Sequence, residues 1–211
     1  MSDKSETSRL EAFCDGVFAI AITLLILEIK TPPLASIHSV RELQDRLLEG
    51  WPAWFGYVLS FLIILISWVN HHSAFKLIDR SSLPFIYANG FLLLTLAVVS
   101  YTFGLMAEYL NTDFAQPAVS LYCVGVLLHN VAWVIWGWTL THPYVLARDA
   151  KAQKVLHRNL VRPSRFAFLI YLGICILSFW FPVVAMTLMT ASWIFWIITS
   201  VALGPKVRPS A

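Results

Sequence analysis

Residues 9–29 read Arg9-Leu-Glu-Ala-Phe-Cys-Asp15-Gly-Val-Phe-Ala-Ile20-Ala-Ile-Thr-Leu-Leu25-Ile-Leu-Glu-Ile29. The run is long enough to cross a bilayer, whose hydrocarbon core takes about 20 apolar residues of helix. It also contains Asp15, and a charged side chain inside a membrane is costly unless it is paired or hydrogen-bonded. The stretch therefore predicts a retained transmembrane helix whose internal carboxylate has a definite task.

The composition of the whole chain agrees with a membrane protein. Of its 211 residues, 58% are hydrophobic and 13% are charged, whereas soluble domains carry about 25% charged residues. The mean hydropathy is +0.71. The net charge of +3 is small, so no nucleic-acid partner is expected. Three cysteines lie in apolar stretches and are expected to be inert thiols rather than a disulfide framework; they are Cys14, Cys123 and Cys175.

Apolar segments of membrane-spanning length recur along the chain. They predict one all-α domain over residues 1–211 with six transmembrane helices, at about 8–30, 51–73, 83–109, 115–140, 165–181 and 183–203. The stretch 36–50 has mixed charge and is typical of a short interfacial helix. The longest polar connection is expected over 142–163.

Basic residues give the orientation. With six spans, the two termini and the second and fourth loops share one side of the membrane. That side holds twelve of the fifteen lysines and arginines: Lys4, Arg9, Lys76, Arg80, Arg148, Lys151, Lys154, Arg158, Arg162, Arg165, Lys206 and Arg208. Because basic loops stay in the cytoplasm, we expect a multi-pass protein of the cell membrane with both termini cytoplasmic. The cluster from 148 to 165 is also expected to contact anionic lipid.

The first helix has two distinct sides. At about 100° per residue, one stripe holds Gly16, Ile20, Thr23, Leu24 and Leu27, and Asp15 falls on nearly the opposite side. Two interpretations follow from this geometry. In one, the stripe packs against a neighbour or lipid while Asp15 ties the helix to the bundle. In the other, the stripe lines a pore and Asp15 anchors the helix from behind.

Polar residues at the end of the second helix are candidate partners for that anchor. Asn70, His71 and His72 lie at the depth of Arg9 and Asp15 by topology, and a buried carboxylate needs such partners. A metal ion is not expected here, because the spacing supplies no clear ligand set.

The residues at the start of the chain carry a family resemblance. Arg9-x-x-x-Phe13-Cys14-Asp15-Gly16, followed by Thr23-Leu-Leu-Ile-Leu-Glu28, resembles the signature first helix of the transmembrane protein 175 family. These proteins are endolysosomal potassium channels and their prokaryotic relatives. The stretch Trp68-Val-Asn-His-His72 resembles the second helix of the family. Cys14 stands where the family has serine, and a thiol is the weaker hydrogen-bonding group.

The resemblance implies a function and an assembly. Prokaryotic members are six-helix subunits that form homotetramers, in which the first helix of each subunit lines a central pore. The matching constriction residues here are Ile20, Thr23, Leu24 and Leu27, and Phe13, Cys14 and Asp15 belong to a polar network behind that helix. The chain is then expected to conduct potassium ions without a cofactor and to have only lipids and its own copies as partners.

Two other classes of membrane protein, a transporter and an enzyme, have less support in the sequence. A secondary transporter of a small cation or solute is the alternative, but carriers place carboxylates near the midplane and use repeats. Spans two to six hold no midplane Asp or Glu, and no repeat is evident. An enzyme would need a nucleophile, a metal set or paired carboxylates at one depth, and none is expected.

Overall fold

The computed structural model describes the backbone of residues 3–141 and 146–203 and the side chains of 7–141 and 146–198. Within these ranges the regular structure is helical, apart from an isolated antiparallel bridge between Ile78 and Ala147, so the all-α class is confirmed. The start of the polar connection at His142 and the side chains of Lys4, Lys206 and Arg208, used in the orientation argument, lie outside the described residues.

The first membrane helix changes its geometry before it ends. Helix α1 spans Asp3–Leu24, and a 3₁₀ turn continues over Leu25–Glu28. The sequence predicted one helix to residue 30. The last turn tightens instead, which is common at helix ends, and Pro32 and Pro33 then hold the chain extended.

A short helix follows between the first two long helices. Helix α2 spans Val40–Glu49, after a 3₁₀ turn at Leu34–Ser36. The Ser39 hydroxyl accepts a hydrogen bond from the backbone N–H of Glu42, and the Glu42 carboxylate accepts one from the N–H of His38. This pair is a variant of the capping box, in which the Glu42 carboxylate reaches the N–H of the residue before the N-cap, and it favours the start of the helix here.

Three long helices lie where the apolar segments predict them. Helix α3 spans Trp51–Phe75, α4 spans Leu83–Tyr109 and α5 spans Ala115–Thr139. Each is long and apolar enough to cross a membrane, as are Thr7–Glu28 and Ala150–Ser178, so the described residues contain five such helices.

The fifth apolar segment differs from its prediction. Helix α6 spans Ala150–Leu156, a π-helical turn spans His157–Val161 and α7 spans Arg162–Ser178. Together they form one helix that begins about 15 residues before the predicted start. The polar residues of this stretch suggested a loop, but Ala152, Leu156 and Val161 are buried against the bundle, which stabilises the helix despite its polarity. Helix α8, Pro182–Leu203, follows after a short turn.

The core lies between the long helices. Two clusters of buried side chains fill the bundle. The larger contains Phe18, Ile63, Leu96 and Tyr122, and the other surrounds Phe75, Phe85 and Trp136. Helix α1 packs on α3 and α4 with one side only, so its other side is uncovered within the subunit.

Candidate functional site on the first helix

The uncovered side of α1 carries the predicted stripe. The side chains of Ile20, Leu24 and Leu27 are 59%, 53% and 72% exposed, and Thr23 is exposed between them. The other side of the same helix is fully packed, with Cys14 and Phe18 at no more than 1% exposed. The subunit therefore presents a row of large aliphatic side chains, which water solvates poorly, on a face that none of its described residues covers.

The hydroxyl of Thr23 has a fixed orientation. Its Oγ1 donates to the carbonyl of Ala19 at 2.8 Å and lies 3.0 Å from the carbonyl of Ile20. Because the hydroxyl proton is directed to the helix backbone, the lone pairs of the oxygen remain available on the exposed face.

Asp15 lies behind this face and is bound by an indole. The Nε1–H of Trp68 donates to Oδ1 of Asp15 at 2.9 Å. The Trp68 ring stacks on the His72 ring, with centroids 5.5 Å apart and an interplanar angle of 12°. Nδ1 of His72 lies 3.0 Å from Oε1 of Glu11. These four residues, Glu11, Asp15, Trp68 and His72, form a polar clasp between α1 and α3.

A second group of polar contacts is centred on Asn89 of α4. Nε2 of His71 donates to Oδ1 of Asn89 at 2.9 Å. Nδ2 of Asn89 donates to the carbonyl of Phe85 at 2.8 Å. The thiol of Cys14 points at the same Oδ1 from 3.8 Å. All of these side chains are buried, so this group joins three helices inside the bundle.

The structure therefore separates residues that the sequence placed in one network. His71 and His72 face different partners, and neither Arg9 nor Asn70 has a side-chain hydrogen bond among the described contacts. Phe13 is 62% exposed. Helical phase explains the difference, because residues four apart share a face. Trp68 and His72 are four residues apart and therefore lie on the same face of α3. Asn70 is two residues from each and lies on the other side of the helix.

Glu11, Trp68 and Asn89 are site residues that the sequence reasoning did not place. Each had a signal. Glu11 precedes Asp15 by four residues, Trp68 precedes His72 by four, and Asn89 is a strongly polar residue in an apolar span. Recognising them required knowing which helices are neighbours, which the sequence does not state.

The clasp also contains a group of potential metal ligands. One ligand atom each from Glu11, Asp15 and His72 lies within 4.8 Å of the others. Carboxylate and imidazole are suitable ligands for several metals. The three side chains already take part in hydrogen bonds, because Trp68 donates to Asp15 and His72 contacts Glu11. We assign the group a structural role.

The 3₁₀ turn that follows α1 is held against α4. The Glu28 carboxylate lies directly over Gly104, where a side chain would displace it. Two residues later, Nζ of Lys30 is 3.2 Å from Oε2 of Glu108. Both partners of this ion pair are exposed, so it contributes little stability, but the contacts fix the position of the acidic residues at this end of the helix.

Comparison with known proteins identifies the family. Residues 9–99, which include both polar groups and the stripe, match the family described as "Endosomal/lysosomal potassium channel TMEM175". A potassium channel of Chamaesiphon minutus is 41% identical over 180 residues, which cover 84% of this chain and 86% of the relative. The chain belongs to the TMEM175 family. A potassium channel of Streptomyces collinus is 38% identical over 158 residues, covering 72% of this chain and 75% of the relative.

The TMEM175 fold extends over nearly the whole chain. The crystal structure of a lysosomal potassium-selective channel TMEM175 homolog from Chamaesiphon minutus superposes with a TM-score of 0.83 at 35% identity. The match covers 93% of this chain and 98% of that one. The likeness therefore includes the helices after residue 99, beyond the family match.

Cys14 is the departure from the TMEM175 pattern noted in the sequence. Its thiol is fully buried, and its 3.8 Å contact with Asn89 is long because sulfur is a large atom and a weak donor. Asn89 still accepts the stronger bond from His71. The carbonyl oxygen of Asn89 is thus satisfied without a hydroxyl at position 14.

Replacing Trp68 with phenylalanine tests the clasp in this TMEM175 chain. The change keeps an aromatic ring but removes the donor to Asp15, so we expect the free energy of unfolding to fall by about 1 kcal/mol, the loss typical of one hydrogen bond. The midpoint of thermal unfolding in detergent would measure it. Trp180→Phe, at an exposed position, is the matched control. An equal shift of the unfolding midpoint in both variants would show that the hydrogen bond of the clasp does not stabilise the protein.

Proposed function

We propose that this chain is a subunit of a potassium-permeable ion channel and that the exposed face of α1 lines the conduction path. The observation that carries the proposal is the row formed by Ile20, Leu24 and Leu27, which α1 turns away from its own subunit. The two bacterial relatives and the solved homolog described above are named potassium channels. A channel needs neither a cofactor nor substrate turnover.

The assembly follows from the number of pore helices. A single α1 cannot enclose a pore, so several copies must surround one axis. We propose a homotetramer, as the family resemblance implies, with membrane lipid around it. Each subunit crosses the membrane six times, with Pro182–Leu203 as the sixth span, and has both termini in the cytoplasm.

Four copies of the row would form stacked apolar rings. Such a constriction can close by dewetting, because a narrow apolar passage holds water poorly. An ion that passes must shed or deform its hydration shell, and potassium holds its water less tightly than sodium does. The rings therefore favour potassium without a cage of carbonyl oxygens. The Thr23 oxygen, whose proton is directed to Ala19, offers lone pairs that replace part of the lost water.

The alternative, a secondary transporter, has less support. Coupled carriers use ionisable residues near the middle of the membrane. In the five long helices, the carboxylates lie near helix ends or, as with Asp15, are hydrogen-bonded behind the exposed face. No acidic residue occurs in α3, α5 or Ala150–Ser178. Passive conduction does not require an ionisable residue near the middle of the membrane.

Shortening a ring residue tests the conduction path. We expect Leu24→Ala to raise sodium permeability relative to potassium severalfold, because a wider ring lets sodium pass with more of its water. The measurement is the flux of each ion into liposomes that contain the purified protein, driven by its own gradient. Ile20→Ala should act in the same direction.

Leu94→Ala is the matched control for this experiment. Leu94 lies on α4 and is 60% exposed, but it is not on the proposed pore face, so its permeability ratio should equal that of the wild type. Unchanged ratios in both α1 variants would contradict the ring proposal. Flux that requires a second, coupled ion would instead identify a transporter.

A further inference from the structure

The helix Ala150–Ser178 is longer than a membrane requires. Its 29 residues extend about 43 Å at 1.5 Å per residue, whereas the hydrocarbon core is about 30 Å thick. Exposed apolar side chains begin at Phe166 and continue with Leu169 and Ile176. The excess of about 13 Å corresponds to about nine residues, so the N-terminal end of this helix reaches the depth of the lipid headgroups, and the long cationic side chains that follow can extend to the same depth.

The part of the helix before Phe166 carries a stripe of exposed cations. They are spaced three or four residues apart, and all are exposed: Lys151, Lys154, Arg158, Arg162 and Arg165. We call these five residues the basic stripe.

A π turn in the middle of the basic stripe keeps Val161 on the buried side of the helix. The N–H of Arg162 donates to the carbonyl of His157, five residues earlier. Leu156 and Val161 are also five apart, and both are buried. In a regular α-helix they would point about 140° apart, but a π turn aligns residues at this spacing. Val161 can thus pack on Gly137 while the neighbouring arginines stay exposed.

The chain supplies almost no negative charge to balance the stripe. Asp149 is the last acidic residue in the sequence, and its carboxylate caps α6 by accepting from the N–H of Ala152 at 2.7 Å. That bond lowers the pKa of the Asp149 carboxyl below its ordinary value. Among the described residues its ion-pair partner is Arg148, and none of the five cations of the stripe has a carboxylate partner.

We propose that the basic stripe binds the headgroups of anionic phospholipids. Five unbalanced cations face outward at headgroup depth, directly before the lipid-facing Phe166. Guanidinium groups match the geometry of phosphate oxygens, and the acyl chains of the same lipid can lie along the apolar side chains that follow. A phospholipid can contact both the cations and the apolar side chains of this surface, whereas a soluble polyanion can contact only the cations.

The test compares lipid retention by two matched variants. Arg158→Gln with Arg162→Gln removes two charges of the stripe. Arg41→Gln with Arg46→Gln removes two exposed arginines from α2, on the other side of the membrane. Each full-length protein is purified with equal amounts of phosphatidylglycerol and phosphatidylcholine, and the lipids that stay bound are counted by native mass spectrometry.

We expect the stripe variant to lose affinity for phosphatidylglycerol by about tenfold or more, because each basic residue near an anionic headgroup contributes about fivefold. Retention of phosphatidylcholine should not change, and the α2 variant should behave as the wild type. Arg158→Lys with Arg162→Lys, which keeps both charges, should restore most of the binding. Equal phosphatidylglycerol retention by the stripe variant and the wild type, or an equal loss in the α2 variant, would overturn the proposal. The readout does not depend on ion conduction, so it is separate from the test of the channel.

Discussion

His129→Leu is expected to lower the free energy of unfolding by about 1–3 kcal/mol, one of the two largest effects expected of a single substitution in this chain. The imidazole of His129 is buried in the middle of α5 and joins three helices. Its Nε2 lies 2.8 Å from the Ser67 hydroxyl of α3, and its Nδ1 lies 2.8 Å from the Thr95 hydroxyl of α4. The indole N–H of Trp133 also donates to Nε2, at 3.2 Å.

The hydrogen bonds fix the tautomer of this histidine. The Thr95 hydroxyl donates its proton to the carbonyl of Leu92, so Nδ1 of His129 must be the donor to Thr95. Nε2 is then the acceptor for Ser67 and Trp133. Leucine fills a similar volume but bonds with none of these groups. The Trp133 N–H keeps the Ser67 oxygen as an acceptor, but the Ser67 hydroxyl proton loses its own acceptor, and a buried polar group left unsatisfied costs about 1–3 kcal/mol.

Thermal unfolding in detergent would measure the loss. His157→Leu is the matched control, because His157 is exposed and its replacement should leave the midpoint nearly unchanged. Thr95→Val removes one of the three contacts of His129 and should give a smaller decrease. Wild-type stability in His129→Leu would show that the three helices do not depend on this residue.

Gly56→Ala is the second substitution with a large expected effect. Gly56 lies on α3 where that helix meets α4, and a Cβ there would overlap the ring of Phe103 and stand 3.0 Å from Cε of Met106. Both neighbours are fully buried, so neither can move into open space. Overpacking of this kind costs about 1–3 kcal/mol and sometimes more. The expected result is a lower unfolding midpoint and a smaller yield of folded protein.

Gly173→Ala provides the comparison, because a Cβ at Gly173 has nothing within 4 Å. Alanine is the better helix former by about 0.5–1 kcal/mol, so this variant should be as stable as the wild type or slightly more so. The two variants make the same chemical change in two helices. Equal midpoints would mean that the α3–α4 contact adapts to the added methyl group.

The sequence was most informative where one physical requirement dominates. A membrane-spanning helix needs a long apolar run, and such runs placed α3, α4 and α5 to within a few residues. The same reasoning missed the start of the fifth long helix. Its residues 150–163 are mostly polar because one side of the helix is exposed. The three buried residues on the other side are too few to raise the mean hydropathy of the segment.

For the candidate site, the sequence separated the two sides of α1 but did not identify the partners on the packed side. Helical phase is a local property, so it could place Ile20 and Leu24 on a different side from Asp15. Which residues meet Asp15 depends on how α3 is rotated against α1. The structure gives Trp68 as the donor, and it places Asn70, an expected partner, in neither polar group.

The sequence by itself thus determined that this is an all-α membrane protein, that it resembles the TMEM175 family and that one side of its first helix is aliphatic. These properties depend on composition, short-range periodicity and a local motif. Only the tertiary structure decided that the aliphatic side is left uncovered, that Trp68 binds Asp15 and that His129 joins three helices. Contacts between helices distant in sequence depend on their relative rotation and depth, and these are set by the packing of all side chains together.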